Sequence, residues 1–481
     1  MKFLILINSA PDYQPFFLAL GNELIKQGHE VVYAIESRLG NAEYPDHKVP
    51  ETPYVFSEYL HSRSGTSELP LQYQHLNIWE SFFSDFDRFE HFKINLKKRH
   101  DWYSNVVVSL FTFFDSLVKE EDIDLVLYEN ISNSFSYAAY LVAKEHAVPY
   151  LGWTSCRITG RYETHTSISS QSDSIAQTYQ DIKTGTLTLD EATLAWCENY
   201  LQTFMEVVPD YMQQNSLKLQ NPISKYTRVT KLKKVAHRVD FVLSSPRWAH
   251  PYHLGNPLIF SFKQFLRNFN RYLKSKLIEH HFTHPAEGEQ YFFYPIHFHP
   301  ESSTSVHARH YVDELVVIKN IAFNLPFGYL LYVKDHKSAV GYPTLDFYNA
   351  VASLPNVRLI SPNAPTKKLI LESTAVITLT STVGYEAIVL RQQVVVLGNV
   401  FYDFHPLCRK MSRWNTLFSM LTESTKNKPD GNHVDSIDFI ASYYLNTHPG
   451  KLIIGGKSDS GILSKIVDQA IFEGNKLAKR K

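Results

Sequence analysis

The stretch Ala375-Val-Ile-Thr-Leu-Thr-Ser-Thr-Val-Gly-Tyr-Glu-Ala-Ile-Val-Leu390 decides the fold of this chain. It opens on an apolar, β-branched run that reads as a buried strand. Thr380-Ser-Thr382 then makes a tight turn, and a helix starts near Val383. A second buried strand follows at Val394–Leu397. Hydroxyls and free backbone N–H groups thus converge at a helix N-terminus, just past the carboxyl end of a parallel strand. That arrangement suits an anion such as a phosphate, and open α/β sheets bind nucleotides at such strand ends. The turn alone is equally compatible with a capped helix that holds no ligand.

Working outward, the same half of the chain repeats the pattern. Tyr291–Ile296 is a short apolar strand that runs into His297-Phe-His-Pro-Glu-Ser-Ser-Thr304. Tyr329–Val333 is another, ending in Lys334-Asp-His-Lys337, and Val357–Ile360 leads into Ser361-Pro-Asn363. A parallel sheet built from these runs presents all of the polar loops on one edge. His297, His299, Lys334, His336, Ser381 and Thr382 are then candidates to surround one phosphorylated ligand. A single surface histidine is usually just solvated; several on one sheet edge carry more weight.

The run from Tyr291 to about Pro406 resembles the donor-binding half of the bacterial capsule polysaccharide biosynthesis glycosyltransferases, a group that includes the β-Kdo transferases. The matching pieces are His297–Thr304, Val333-Lys-Asp-His336, Thr380-Ser-Thr-Val-Gly-Tyr-Glu-Ala387 and Gly398-Asn-Val-Phe-Tyr402, in the family's order. The resemblance implies a GT-B fold, an α/β architecture of two Rossmann-like doubly wound domains facing each other across a cleft. It implies a nucleotide-sugar donor, often a CMP-linked acidic sugar such as Kdo or another nonulosonic acid. It also implies a surface-polysaccharide or lipid-linked acceptor and a metal-independent reaction with no cofactor. One departure stands out: the family often has Lys-x-His-Pro where this chain has Lys334-Asp-His-Lys337. A sugar-nucleotide epimerase of the same fold and a non-catalytic assembly subunit are the competing readings.

Length and composition agree with two domains. A chain of 481 residues is too long for one ordinary core. Its formal net charge of zero argues against a general nucleic-acid binder. Cys156, Cys197 and Cys408 are far apart and odd in number, so neither a disulfide framework nor a zinc spacing is expected, and a cytoplasmic setting fits. Phe3–Ile7 reads as a first buried strand rather than a signal segment, because this apolar run is shorter than the usual one of about 7–15 residues.

Along the N-terminal half, the strand at residues 3–7, a helix marked by Phe16, Leu20, Leu24 and Ile25, and the strand Val31–Ile35 make a βαβ unit. Residues 41–100 read as an irregular, aromatic insertion with some helix. Asp124–Tyr128 is a buried strand, followed by a helix from about Ser134 to His146 and a strand at Val148–Gly152. The expected boundaries are an acceptor-side Rossmann-like domain over 1–240, with helical additions near 190–215, and a linker over 241–289. A donor-binding domain over 290–440 and C-terminal helices with a basic tail over 441–481 complete the chain. Residues 225–280 hold twelve Lys or Arg against two acids, Asp240 and Glu279. Within them Phe262, Phe265, Leu266, Phe269, Tyr272 and Leu273 recur at helical spacing. A basic amphipathic helix of this kind either lies on an anionic membrane surface or packs its aromatics inward between domains.

Glycosyl transfer needs donors that stabilise charge on a leaving phosphate and a carboxylate that acts on the acceptor hydroxyl or the anomeric carbon. The phosphate candidates are Ser381, Thr382, His336 and Lys334, with His297 or His299 assisting. Glu386, one turn into the helix, is a candidate for the ribose hydroxyls or a plain helix charge. Tyr402, Asp403 and His405 follow the Val394–Leu397 strand and are candidates to touch the donor sugar. For the carboxylate, Glu129 ends one N-terminal strand and Asp12 follows another. Arg157 and Arg161 are positioned either to hold an acidic sugar or acceptor phosphate or to form salt bridges.

Overall fold

Among the described residues, twelve of the thirteen strands divide, in chain order, into two successive sets of six. The first set is β1 (Lys2–Ile7), β2 (Glu30–Ile35), β3 (Tyr54–Val55), β4 (Leu125–Glu129), β5 (Tyr150–Ser155) and β6 (Arg161–His165). The second is β7 (Tyr291–Pro295), β8 (Leu330–Lys334), β9 (Val357–Ile360), β10 (Val376–Thr378), β11 (Val394–Val396) and β12 (Cys408–Lys410). The last strand, β13 (His448–Pro449), returns to the first sheet. These elements come from a computed structural model that describes residues 1–50, 53–63, 68–214, 221–426 and 433–478.

The first sheet runs β13-β6-β5-β4-β1-β2-β3 and the second β12-β11-β10-β7-β8-β9. Counted within each set, both place the first strand beside the fourth and the second beside the first. That is the order 3-2-1-4-5-6 of the dinucleotide-binding fold. Every pair in the second sheet is parallel, as are all pairs from β3 through β5 in the first. Only β6, a hairpin partner of β5, runs against the others, so that its pairs with β5 and β13 are antiparallel. The chain is therefore a GT-B fold of two Rossmann-like domains. The apolar runs are continuous because both faces of each sheet are covered: Phe3 to Leu6, Leu125 to Tyr128 and Phe292 to Tyr294 are wholly buried. Each such side chain contributes about 1.5–3 kcal/mol.

The two lobes exchange chain segments. Helices Ser170–Lys183 and Glu191–Thr203 pack on helix His433–Leu445. Their core residues Tyr179, Cys197 and Tyr200 join Tyr385, Phe401 and Phe439 on one face of the second sheet. In the other direction, helix Ile462–Ala478 packs against helix Tyr13–Lys26 on the first sheet, and β13 extends that sheet at β6. The helical additions near 190–215 thus belong spatially to the second core, and the C-terminal helix to the first. Apolar complementarity outweighs sequence order here, since the second sheet needs a cover on the face that its own helices leave bare. The residues beyond 478 expected to form a basic tail lie outside the described set. Among the described residues, no helix is long and apolar enough to cross a membrane.

Candidate active site

The strand order reverses between β7 and β10, and the loops after these strands meet there. Such a switch point is where open α/β sheets take their ligands. His297 follows β7 and Thr380-Ser381 follows β10. The Thr380 N–H donates to His297 Nε2 (3.2 Å), so the ring proton sits on Nδ1, 2.8 Å from Glu314 Oε1, to which it is donated. Thr378 Oγ1 accepts the Ser381 N–H at 3.1 Å, and the Thr380 hydroxyl donates to the Ser303 carbonyl at 2.8 Å. Tyr402 donates its hydroxyl to the Ser381 carbonyl at 2.7 Å. This last contact explains Gly384: a Cβ there would collide with the Tyr402 hydroxyl. The turn before helix Thr382–Val389 is therefore held from three sides, and Ser381 Oγ caps the helix on the Val383 N–H (3.1 Å).

This turn lines a cleft of about 800 Å³ between the domains. From the second domain the cleft also takes Lys334, Asp335, His336 and Lys337 after β8, together with Glu386. Lys334 is buried, and among the described residues its ammonium makes no hydrogen bond or ion pair; burial, with help from Lys337, lowers its pKa to about 8. His336 accepts the Ser338 N–H on Nδ1 (3.2 Å). Burial and then Lys334 lower it to about 4, leaving a neutral ring whose proton sits on Nε2. Burial raises the Glu386 carboxyl to about 7, with Lys367 and Lys334 pulling it back. Thr382 Oγ1 lies 3.1 Å from the Tyr211 hydroxyl.

The first domain supplies Asn130, Arg157, Glu163 and His165 to the same cleft. Asn130 donates across it to Ser302 Oγ at 3.2 Å. Arg157 pairs with the buried Glu163 at 3.0 Å and stacks on the Phe401 ring at 4.6 Å. It lines the cleft and forms a salt bridge at once. Beside it, burial pushes His165 down and holds His307 near about 4, so both are neutral.

A second, smaller cavity of about 230 Å³ lies at the matching switch point of the first sheet, between the loops after β1 and β4. Glu129 lines it, one residue before Asn130 of the main cleft. Its two carboxylate oxygens accept the hydroxyls of Tyr13 and Ser132, each at 2.6 Å. Burial raises its pKa, opposed by those hydrogen bonds and by Arg88. Arg88 donates to Asp85 at 2.5 Å and to the Ser132 carbonyl at 3.0 Å. Glu36 pairs with His253, whose pKa burial would lower and the carboxylate raises.

Other candidates sit apart from both cavities. Asp12 is on the surface, bonded to Tyr44 (2.8 Å) and Lys234 (3.3 Å). Arg161 donates to the Thr447 side chain (2.7 Å) and carbonyl (2.6 Å), tying β6 to the segment before β13. Asp403 pairs with Lys410 at 2.9 Å. His405 is buried against Phe439 and accepts the Leu407 N–H at 3.2 Å. His299 bonds Thr304 at 2.8 Å and points its other nitrogen at Asp87 of the first domain, 3.8 Å away. His297 spends both ring nitrogens on protein. His297 therefore has no nitrogen left for a phosphate and His299 lies outside the cleft lining, whereas Lys334 and His336 face it. Sequence reasoning missed Tyr13, Asp85, Arg88, Glu163, His165 and His307. A signal for Asp85 and Arg88 existed, because Phe82, Phe86 and Phe89 recur at helical spacing in helix Ile78–Phe92.

Residues 246–432 match the family described as capsule polysaccharide biosynthesis protein. The match covers the linker helix and nearly all of the second sheet's domain, including every cleft residue named above from His297 to Tyr402. Among solved structures, this chain is similar to the Thermosulfurimonas dismutans KpsC β-Kdo 2,4 transferase. They share 16% identity over 73% of this chain and 88% of that one, with a TM-score of 0.39. The KpsC β-Kdo 2,7 transferase of the same organism has 11% identity over 74% and 89%, at 0.37. The Neisseria meningitidis UDP-GlcNAc 2-epimerase bound to UDP-GlcNAc has 12% identity over 98% and 100%, at 0.28. No curated protein matches the chain.

Proposed function

We propose that this capsule-biosynthesis protein is a glycosyltransferase that moves a sugar from a nucleotide donor to a glycan or glycolipid acceptor on the cytoplasmic side of the membrane. The observation that carries the reading is the buried Lys334 ammonium, unpartnered among the described residues, in the cleft that also holds the N-terminus of helix Thr382–Val389. A buried unpaired charge is costly, and a leaving phosphate supplies its missing partner. In this reading Lys334, the neutral Nε2–H of His336 and the helix N-terminus stabilise the charge that grows on the phosphate. They do so without a metal ion or cofactor. Glu386 receives the ribose hydroxyls. The acceptor oxygen bonds the anomeric carbon as the bond from that carbon to the phosphate oxygen breaks. The bonding pair leaves on the nucleotide, and the hydroxyl proton goes to Glu129, a buried carboxylate with a raised pKa suited to a base. Arg157, with His165 and His307 beside it, faces the donor sugar. A cationic group there favours an acidic sugar, and with it a CMP-linked donor over UDP or GDP.

The test is a thermal-shift panel of CMP, UDP and GDP, followed by assay of the stabilising nucleotide's sugars with and without acceptor glycan. A shift with CMP that vanishes in Lys334→Met, with turnover only when acceptor is present, is the expected result. Turnover of the donor without any acceptor would instead identify an epimerase or hydrolase, and no shift with any nucleotide would overturn the reading.

A further inference from the structure

Helices Val229–Ser244 and Pro257–Leu277 pack side by side, and each has an inner and an outer face of opposite character to the usual surface helix. The inner faces carry the cations. Arg238 donates to Glu43 and to Ser261, each at 2.6 Å. Arg271 donates to the carbonyls of Ser338 and Val340, each at 2.7 Å, and Lys274 to that of Pro343 at 2.6 Å. Arg267 lies between the rings of Phe92 and Tyr342.

The outer faces carry much of the hydrocarbon, although Phe241 and Phe260 are buried inward and Phe265, Phe269 and Tyr272 are half-buried. On the first helix Val229, Leu232, Val235, Val239 and Leu243 are exposed, Leu243 to 82%. On the second Ile259, Phe262, Leu266, Leu273 and Leu277 are exposed, Phe262 to 61%. Spacings of three, four and seven residues align each set into one stripe along its helix. Single exposed apolar residues are ordinary, but two stripes on neighbouring helices are not. By helical position, Lys231 and Lys233 flank the first stripe, with Asp240 also at its edge, and Lys276 flanks the second, while Lys263 is bonded to the Lys93 carbonyl. Residues 225–280 hold twelve basic residues and two acids in a chain whose formal net charge is zero.

We propose that this face docks on an anionic lipid surface, with the two stripes entering the headgroup boundary and the flanking lysines meeting the lipid phosphates. Charge complementarity selects this occupant. A second copy of the chain would bring two basic faces together, so self-association through this face is disfavoured. The inner side of helix Pro257–Leu277 grips residues 338–343, which follow Lys334–Lys337 directly. Docking therefore places the donor-side loop of the cleft next to the bilayer. The inference does not depend on which sugar or nucleotide the cleft takes.

The full-length protein should co-sediment with vesicles of phosphatidylglycerol and phosphatidylcholine, and not with phosphatidylcholine alone, with binding weakened by salt. The pairs Phe262→Ser/Leu266→Ser and Leu232→Ser/Leu243→Ser should each lower the partition coefficient about tenfold or more. The pair Lys231→Ala/Lys233→Ala should lower it roughly fivefold per lysine. All three remove surface groups only, and an unchanged melting temperature verifies that the fold is intact. Equal binding to both vesicle types, or variants that bind like the parent, would overturn the proposal. So would a solution dimer that Phe262→Ser dissociates, which would make the face a self-association surface.

Discussion

The two Rossmann-like lobes share a strand order but treat charge at their switch points in opposite ways. In the second lobe, Lys334 is buried without a hydrogen-bond or ion-pair partner among the described residues, and the helix behind Ser381 points its N-terminus into a cleft of about 800 Å³. In the first, each charged group is matched: Asp85 with Arg88, Glu36 with His253, and Glu129 with two hydroxyls, around only 230 Å³. The difference teaches what each half is prepared for. An unmatched buried cation awaits an anion, whereas a matched network fixes the position and protonation of one carboxylate.

The sharpest way to break this contrast is Glu129→Gln. It keeps the shape of the side chain while removing the base, with one hydroxyl still donating to the amide oxygen and the other turned to accept from the amide NH2, so kcat should fall roughly 100- to 10,000-fold. Nucleotide affinity, read by calorimetry, should stay unchanged. Normal turnover would remove Glu129 from the chemistry and leave the first switch point purely structural.

Next in size is Lys334→Met, expected to weaken nucleotide binding roughly 10- to 100-fold, the scale of one charge-assisted hydrogen bond. The same residue gives a pH signature. Its pKa is lowered from 10.5 to about 8 in the folded protein. Between those values the unfolded chain holds a proton that the folded chain has lost, so the ligand-free protein gains stability as pH rises through that window. Lys334→Met should abolish that rise and stabilise the ligand-free protein below pH 8 by about 3 kcal/mol. Nucleotide affinity of the parent should fall as pH rises through about 8, because the phosphate needs the charged ammonium. A flat profile in both measurements would mean that Lys334 has a partner in solution.

His297→Ala should act more weakly on binding and mainly on stability. It strips the Thr380 N–H and Glu314 of their partner, a loss of about 1–3 kcal/mol in denaturant unfolding. Nucleotide affinity should drop only severalfold as the turn loosens. A loss of affinity matching that of Lys334→Met, with stability intact, would instead make His297 a direct ligand. Smallest is Asp12→Asn. Its contacts are on the surface, so turnover should change less than about twofold and stability by under about 0.5 kcal/mol.

Much of the second lobe was legible in the chain. Val394–Val396 and Tyr291–Pro295 are short β-branched or aromatic runs bounded by polar loops, and that pattern fixes strand, loop and edge together. Ser381 was legible as a cap for the same reason. The roles of the histidines were not. His297 and His336 both follow parallel strands, yet one spends its ring on Glu314 and Thr380 while the other keeps an N–H for the cleft. Only the neighbours brought in from other elements separate them. The same holds for the two arginines of the β5–β6 hairpin: Arg157 lines the cleft while Arg161, four residues on, is bound to Thr447. The helix Pro257–Leu277 is a further case. Its periodicity was clear, but its cations face the protein and much of its hydrocarbon faces out.

By itself, then, the sequence determined the local elements, because hydrophobic period, capping and turn chemistry act over a few residues. It also determined that the polar tips of the second sheet share an edge, since consecutive parallel strands all end the same way. Tertiary structure alone decided three things: which charges are left unmatched, that helices near residues 170–203 cover the second sheet while the C-terminal helix covers the first, and that Glu129 sits in its own chamber beside the cleft. Those outcomes depend on contacts between residues hundreds of positions apart, and burial changes the energy of a charge only once the walls around it have closed.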